Sequence, residues 1–128
     1  MVLLIENPID PSVIYRSIQS TYSGSVVLHY AVVKQQAGSG KSTVAIEYCA
    51  ADGAVAELEA INKELKQSWK LEDVLLIRRT GCLAVGDIIS LVAASAPGSE
   101  EAFEACKAGI SRLKKMKTIT KTERYFEN

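Results

Sequence analysis

The heptapeptide AGSGKST, residues 37 to 43, carries the most conspicuous candidate chemistry. Gly40, Lys41 and Ser42 match the end of the phosphate-cradling loop G-x-x-x-x-G-K-[ST], whose amides and lysine bind nucleotide phosphates. The first glycine of that loop would fall at position 35, which is Gln35. A phosphate loop must also open into a helix whose N-terminal amides face the anion, whereas the following TVAIEY is rich in strand-forming residues. The segment reads as a Gly/Ser connector with a solvated lysine. Nucleotide binding at Gly40-Lys41-Ser42 is the least favoured functional reading.

A second concentration of cations, Lys114, Lys115, Lys117 and Lys121, lies near the C-terminus. At the end of a helix Lys114, Lys115 and Lys117 would interact favourably with the macrodipole, by about 0.3 to 1 kcal/mol, which would be a purely structural role. His29 alternates with Val27, Ala31 and Val33 on one face of a strand and reads as a structural histidine. Cys49, Cys82 and Cys106 form an odd set with no CxxC pair, so neither a disulfide framework nor a metal site is expected. Cys82 and Cys106 read as small buried hydrophobes, and a reducing cytoplasm suits all three.

The bulk composition narrows the classes further. Fifteen basic residues balance fifteen acidic ones, so the chain has no overall attraction for nucleic acid or an anionic membrane, and any anion site must be local. No apolar run approaches the roughly 20 residues of a bilayer span, and MVLLIENPID lacks a basic leader, so neither a targeting nor a membrane segment is expected. A chain of 128 residues, 48% hydrophobic, fits a single domain over 1–128 that buries its own core.

The elements that must position these residues follow from periodicity. Val2 to Ile5 starts a short strand, and Asp10 before Pro11 is an N-cap with proline at the first helical position. SVVLHYAVVK (Ser25 to Lys34) and TVAIEY (Thr43 to Tyr48) are expected to form a long-looped hairpin. Val55, Leu58, Ile61, Leu65 and Trp69 recur at helical spacing. DVLLIRR and DIISLVAASA are strands, separated by TGCLAVG, where Gly81 and Gly86 permit turns or a bulge. Ser99 is then expected to cap a last helix with Phe103, Cys106, Ile110 and Leu113 as its apolar stripe, running to about Lys115 before a polar tail. The order predicts an α+β class, a helix-backed and largely antiparallel sheet.

From Arg79 to Glu123 the pieces resemble the large, catalytic subunit of molybdopterin synthase. They are Arg79-Thr80-Gly81 ending a strand, Gly86-Asp87 starting the next, AFEA at 102 to 105, and LKKMKTITKTE at 113 to 123. SVVLHYAVVK resembles that family's early strand, which ends in a basic residue, here Lys34, so the likeness spans about Gly24 to Glu123. It implies a fold of the α/β hammerhead type. The implied activity transfers sulfur from a thiocarboxylated small subunit to cyclic pyranopterin monophosphate, forming molybdopterin in molybdenum cofactor biosynthesis. The implied partners are that small subunit, with its C-terminal Gly-Gly, and a second copy of this chain at the centre of a heterotetramer. The pterin phosphate is substrate, and no cofactor, nucleic acid or membrane is implied.

By the same resemblance Lys114 and Lys121 match the family's two essential lysines and are the expected catalytic residues, with Lys34, Arg78 and Arg79 expected to bind substrate. A pterin phosphate meeting a thiocarboxylate brings negative charges together, which fixed cations would offset. One lysine would exchange protons while the other polarises the thiocarboxylate carbonyl, in either assignment. Arg79 suits phosphate or carboxylate because its fork of donors is rigid and always charged, with Lys34 expected to help in the same pocket. The sequence departs from the family pattern where Arg78 replaces a histidine, where Gly98 and Ser99 replace a His-Arg pair, and where Thr118-Ile119-Thr120 replaces Pro-x-Trp. A second reading is therefore a diverged relative that keeps the dimeric fold and binds a small ubiquitin-like sulfur carrier without catalysis.

Overall fold

The computed structural model describes residues 1–35, 37–38 and 41–127, the side chains of 37, 38, 41, 126 and 127 excepted. In chain order the elements are β1 (Val2–Ile5), α1 (Pro11–Ser17), β2 (Ser25–Val32), β3 (Ala37–Gly38), β4 (Lys41–Ala50), α2 (Ala54–Ser68), β5 (Asp73–Arg79), β6 (Gly81–Ala84), β7 (Ile88–Ala96), α3 (Ser99–Lys114) and β8 (Ile119–Glu127). They form two four-stranded sheets. The first has the order β1-β5-β7-β2, with β1 parallel to β5 and the other pairs antiparallel. In the second, β4 pairs antiparallel with β3, β6 and β8.

The central strands of the first sheet are buried on both faces, which is why they read as unbroken apolar runs. Alternation divides β5 between two cores. Val74 and Leu76 pack with Leu58, Ile61 and Leu65 of α2 and with Cys106 and Leu113 of α3, while Leu75 and Ile77 pack with Ile14 of α1 and with Ile9 and Ile18. A third cluster, Val33, Ile46, Tyr48, Leu83 and Ile89, joins the second sheet to the end of the first.

The helices start much as their caps require. The Asp10 carboxylate accepts from the Ser12 amide at 2.9 Å, with Pro11 opening α1. At α3, Gly98 and not Ser99 occupies the cap, and Ser99 is the first helical residue, with Glu100 and Glu101 in the first turn. The buried stripe of α3 is Ala102, Ala105, Cys106, Gly109 and Leu113, whereas Phe103 is 63% exposed. On α2, Val55 is likewise exposed. Small residues let α3 lie close on the sheet: a Cβ at Gly109 would stand 2.8 Å from Val92 Cγ1 and 3.3 Å from Leu65 Cδ1.

Four expectations are corrected. The strands expected to form a hairpin lie in different sheets, because β2 takes the long apolar β7 as its partner, from Ser25↔Ala96 to Val32↔Ile88. The TGCLAVG connector contains β6, with Gly81 and Gly86 taking φ of 99° and 93° on either side of it. Cys82, expected to be buried, lies on the exposed side of β6 while Leu83 is buried; Cys106 is buried as expected. The polar tail is β8, paired along β4 from Lys41↔Glu127 to Ala50↔Ile119.

Gly40 lies outside the described residues, but Lys41 and Ser42 begin strand β4, so a helix N-terminus does not follow the Gly/Ser segment. No helix among the described residues is long and apolar enough to cross a membrane.

Replacing Gly109 by valine would force two methyls into the Val92–Leu65 contact and put a β-branched residue in a helix interior. We expect a loss of about 1 to 3 kcal/mol, read as a lower urea midpoint with an unchanged slope. An unchanged midpoint would mean that α3 does not approach the sheet this closely.

Candidate active site

The face of the first sheet that α2 and α3 cover runs out where α3 ends at Lys114. Beyond that point the second sheet leans over, and between them lies a cavity of about 610 Å³. One wall is apolar, with Val33, Ile46, Ile89, Val92, Leu113, Met116 and Ile119. Among the described residues, four cationic side chains, Lys34, Arg78, Lys114 and Lys121, line the rest, against one carboxylate, Glu123. A chain of zero net charge thus gathers positive charge at one place.

Each cation arrives by a different local device. Lys34 follows β2 just beyond the register shift at Ala31/Val32. Lys114 closes α3, where a lysine also complements the helix dipole. Lys121 stands opposite Tyr48 across β8 and β4, and the alternation of β8 turns Ile119, Lys121 and Glu123 to the same side. Arg78 extends the Val74–Leu76 face of β5 into the cavity.

Arg79, one residue on, takes the opposite face of β5. Its Nε donates to the Glu6 carbonyl at 3.0 Å, and an Nη lies 3.4 Å from Asp87 Oδ2. It is not among the residues lining the cavity. Its pairing instead ties the β1 end to the turn before β7, where Asp87 also accepts from the Ala84 amide at 3.0 Å. The structure thus brings four of the five expected site residues together and sets Arg79 apart.

Arg78 is only 8% exposed, and its guanidinium carbon sits 4.4 Å from the centre of the Tyr48 ring, a cation–π contact. Burial pulls its pKa down, opposed by the Tyr48 phenol, and burial pushes the Tyr48 hydroxyl up, so the pair is a charged guanidinium beside a neutral phenol at neutral pH. The three lysines are exposed. Lys121 lies 3.9 Å from Glu123 Oε1, a loose pair that leaves it available to a ligand. The other Glu123 oxygen accepts from the Thr43 hydroxyl at 2.6 Å, which holds its carboxyl below the ordinary range.

Residues that sequence reasoning assigned elsewhere also belong to the site. His29, read as structural, lines the cavity beyond the cover of α3; its alternation with Val27 and Val33 was the signal, but the end of the helical cover was not visible. Glu57, which lies off the apolar stripe of α2, accepts from the amides of Lys117 and Thr118 and, at 2.6 Å, from the Thr118 hydroxyl. It clamps the link between Lys114 and Lys121. Burial pushes its carboxyl up, but these donors outweigh that and leave its pKa lowered.

Fold and cavity together define an α+β protein that sets cations around a space with one apolar wall, suited to an organic anion. The chain belongs to the MoaE protein family, which it matches over residues 4–116. It is 28% identical over 121 residues to the molybdopterin synthase catalytic subunit of Bacillus subtilis (94% of this chain, 76% of that one), and 32% identical over 120 residues to that of Nostoc (92% and 72%). Molybdopterin synthase from Staphylococcus aureus superposes with a TM-score of 0.89 at 27% identity, covering 98% of this chain and 91% of that one. A complex of subunits 1 and 2 of the molybdopterin-converting factor from Helicobacter pylori shares the fold, with a TM-score of 0.69 at 11% identity over 98% and 88% of the two chains.

Glu57→Ala is expected to free the link from 117 to 121, with faster amide exchange there and a loss of about 1 to 3 kcal/mol. Because the folded pKa of Glu57 is lowered, its contribution is present above the ordinary carboxylate range and is lost as pH falls through the lowered value. Exchange at Lys117 and Thr118 that shows neither the mutational nor the acid effect would remove Glu57 from this role.

Proposed function

We propose that this chain is the catalytic subunit of a molybdopterin synthase, transferring sulfur from the thiocarboxylated C-terminus of a small protein to cyclic pyranopterin monophosphate. The observation that carries the reading is the convergence of four cations on one partly apolar cavity in a chain with no net charge. A flat pterin suits the apolar wall, and its phosphate and the incoming thiocarboxylate are two anions that must meet. Cations around the meeting point lower that repulsion before reaction and cost no reorganisation during it.

Lys114 and Lys121 are the proposed catalytic residues. Both are exposed at the cavity, on opposite sides of the link that Glu57 holds. One polarises the thiocarboxylate carbonyl while the other moves a proton. Lys34 adds a cation to the same wall and is proposed to bind substrate; Arg79, held by Glu6 and Asp87, is proposed to brace the sheet.

The small partner is part of the proposal. The curated relatives are named catalytic subunits, and the Helicobacter pylori neighbour is a complex of two subunits. A flexible Gly-Gly tail would carry the thiocarboxylate to the cavity, and a second copy of this chain would form the centre of the assembly. Three free thiols suit a cytoplasmic setting.

The test is single-turnover conversion of cyclic pyranopterin monophosphate with the thiocarboxylated small protein. Lys114→Ala and Lys121→Ala should each slow it by about 100-fold or more while leaving the thermal melt unchanged. Absence of product from folded wild-type protein with the small partner bound would overturn the catalytic reading and leave a binding module for the sulfur carrier. Unaltered rates in both variants would assign the chemistry to other side chains.

A further inference from the structure

We propose that Arg78 is the phosphate anchor of the cavity, holding the small-molecule anion at the buried end while the exposed lysines meet the thiocarboxylate. The identities of the two anions rest on the proposed function; the anion site itself rests on geometry.

Arg78 is more than nine-tenths buried, yet its Nε has no hydrogen-bond partner. Folded proteins rarely leave a buried donor unpaired, because the lost hydration is not recovered. Arg78 takes part in none of the ion pairs formed among the described residues. The cavity carboxylate, Glu123, is already held by the Thr43 hydroxyl and lies near Lys121. The guanidinium therefore brings a permanent charge to the cavity without a protein anion to match it.

Its surroundings leave the charge usable. Tyr48 covers a face of the guanidinium at 4.4 Å, and stacking of that kind leaves in-plane N–H groups as donors. Ser90 pairs with Arg78 across β5 and β7, is buried, and adds a hydroxyl to the same cavity. A planar fork beside a hydroxyl matches adjacent oxygens of a phosphate ester.

The division between the two anions follows from access. A thiocarboxylate on a protein tail must enter from solvent, where the lysines are exposed, and proton exchange there calls for ammonium groups. A free small molecule can occupy the deeper position first, and a guanidinium that never releases its proton is suited to holding it.

The test follows the arginine Nε–H signals of the wild-type chain by nitrogen-15 NMR during titration with inorganic phosphate, which requires neither partner nor turnover. The Arg78 signal, assigned by its loss in Arg78→Met or, should that variant not fold, in Arg78→Lys, is expected to shift saturably at millimolar phosphate. No shift up to 50 mM, about fifty times that concentration, would overturn the proposal. In the conversion assay, Arg78→Lys should raise the half-saturating pterin phosphate concentration about tenfold or more, with the dependence on thiocarboxylated partner unchanged. An unchanged pterin requirement in that variant would also overturn it. A wild-type protein that shows the phosphate shift but no conversion would refute the proposed reaction and leave the anion site standing.

Discussion

The two-residue period of β5 is the constraint on which the rest of the structure depends. Val74 and Leu76 face the long helices, Leu75 and Ile77 face α1, and the same alternation carries Arg78 and Arg79 to opposite sides of the sheet. One guanidinium becomes part of a cavity, and the other becomes a brace between Glu6 and Asp87. A one-residue slip of β5 would exchange the two arginines and turn both hydrophobic cores inside out, so the cost of misplacing Arg78 is shared with the whole sheet. The site is specified by the same pattern that specifies the fold.

The cavity exists because the helical layer stops before the sheet does. α3 ends at Lys114, and the third hydrophobic cluster brings the second sheet against the uncovered face. The return from Lys114 to β8 is short, and while the Lys115 and Met116 amides bond back to α3, those of Lys117 and Thr118 turn to a side chain. Glu57 of α2 accepts from the Lys117 and Thr118 amides and from the Thr118 hydroxyl, which sets where β8 begins. The β8–β4 register then fixes Lys121 opposite Tyr48, and hence near Arg78. Packing, a carboxylate clamp and a strand register thus converge on the position of a single lysine.

Much of this was legible in the sequence, and what was not has identifiable causes. Asp10-Pro11, the α2 period and the apolar β5 and β7 announced themselves through local rules. The separation of β2 from β4 did not, since strand pairing depends on which distant partner buries more surface. β8 hid because ITKTERYFE reads as polar, though it contains strand-forming residues at intervals. Phe103 was misassigned because its size suggested burial, whereas alanine, cysteine and glycine on the true stripe permit the close approach of α3. The lysines of the site were found through resemblance, as their spacing alone fits a helix end equally well. Arg78 and Arg79 could be distinguished only once the faces of β5 were known.

The contrast between the cations has a physical consequence for how the site works. Exposed lysines act through water and counterions, which screen charges over about 8 Å at physiological ionic strength. Arg78, with 8% exposure, is screened far less, and the field it exerts inside the cavity is stronger for the same charge. Burying that charge is costly, and the Tyr48 ring recovers part of the cost while keeping a neutral phenol beside it. An anion in the cavity would recover more, since the Arg78 guanidinium takes part in none of the ion pairs formed among the described residues. The cavity is therefore biased electrostatically toward an anionic ligand, and that bias comes from the central sheet and not from the exposed lysines.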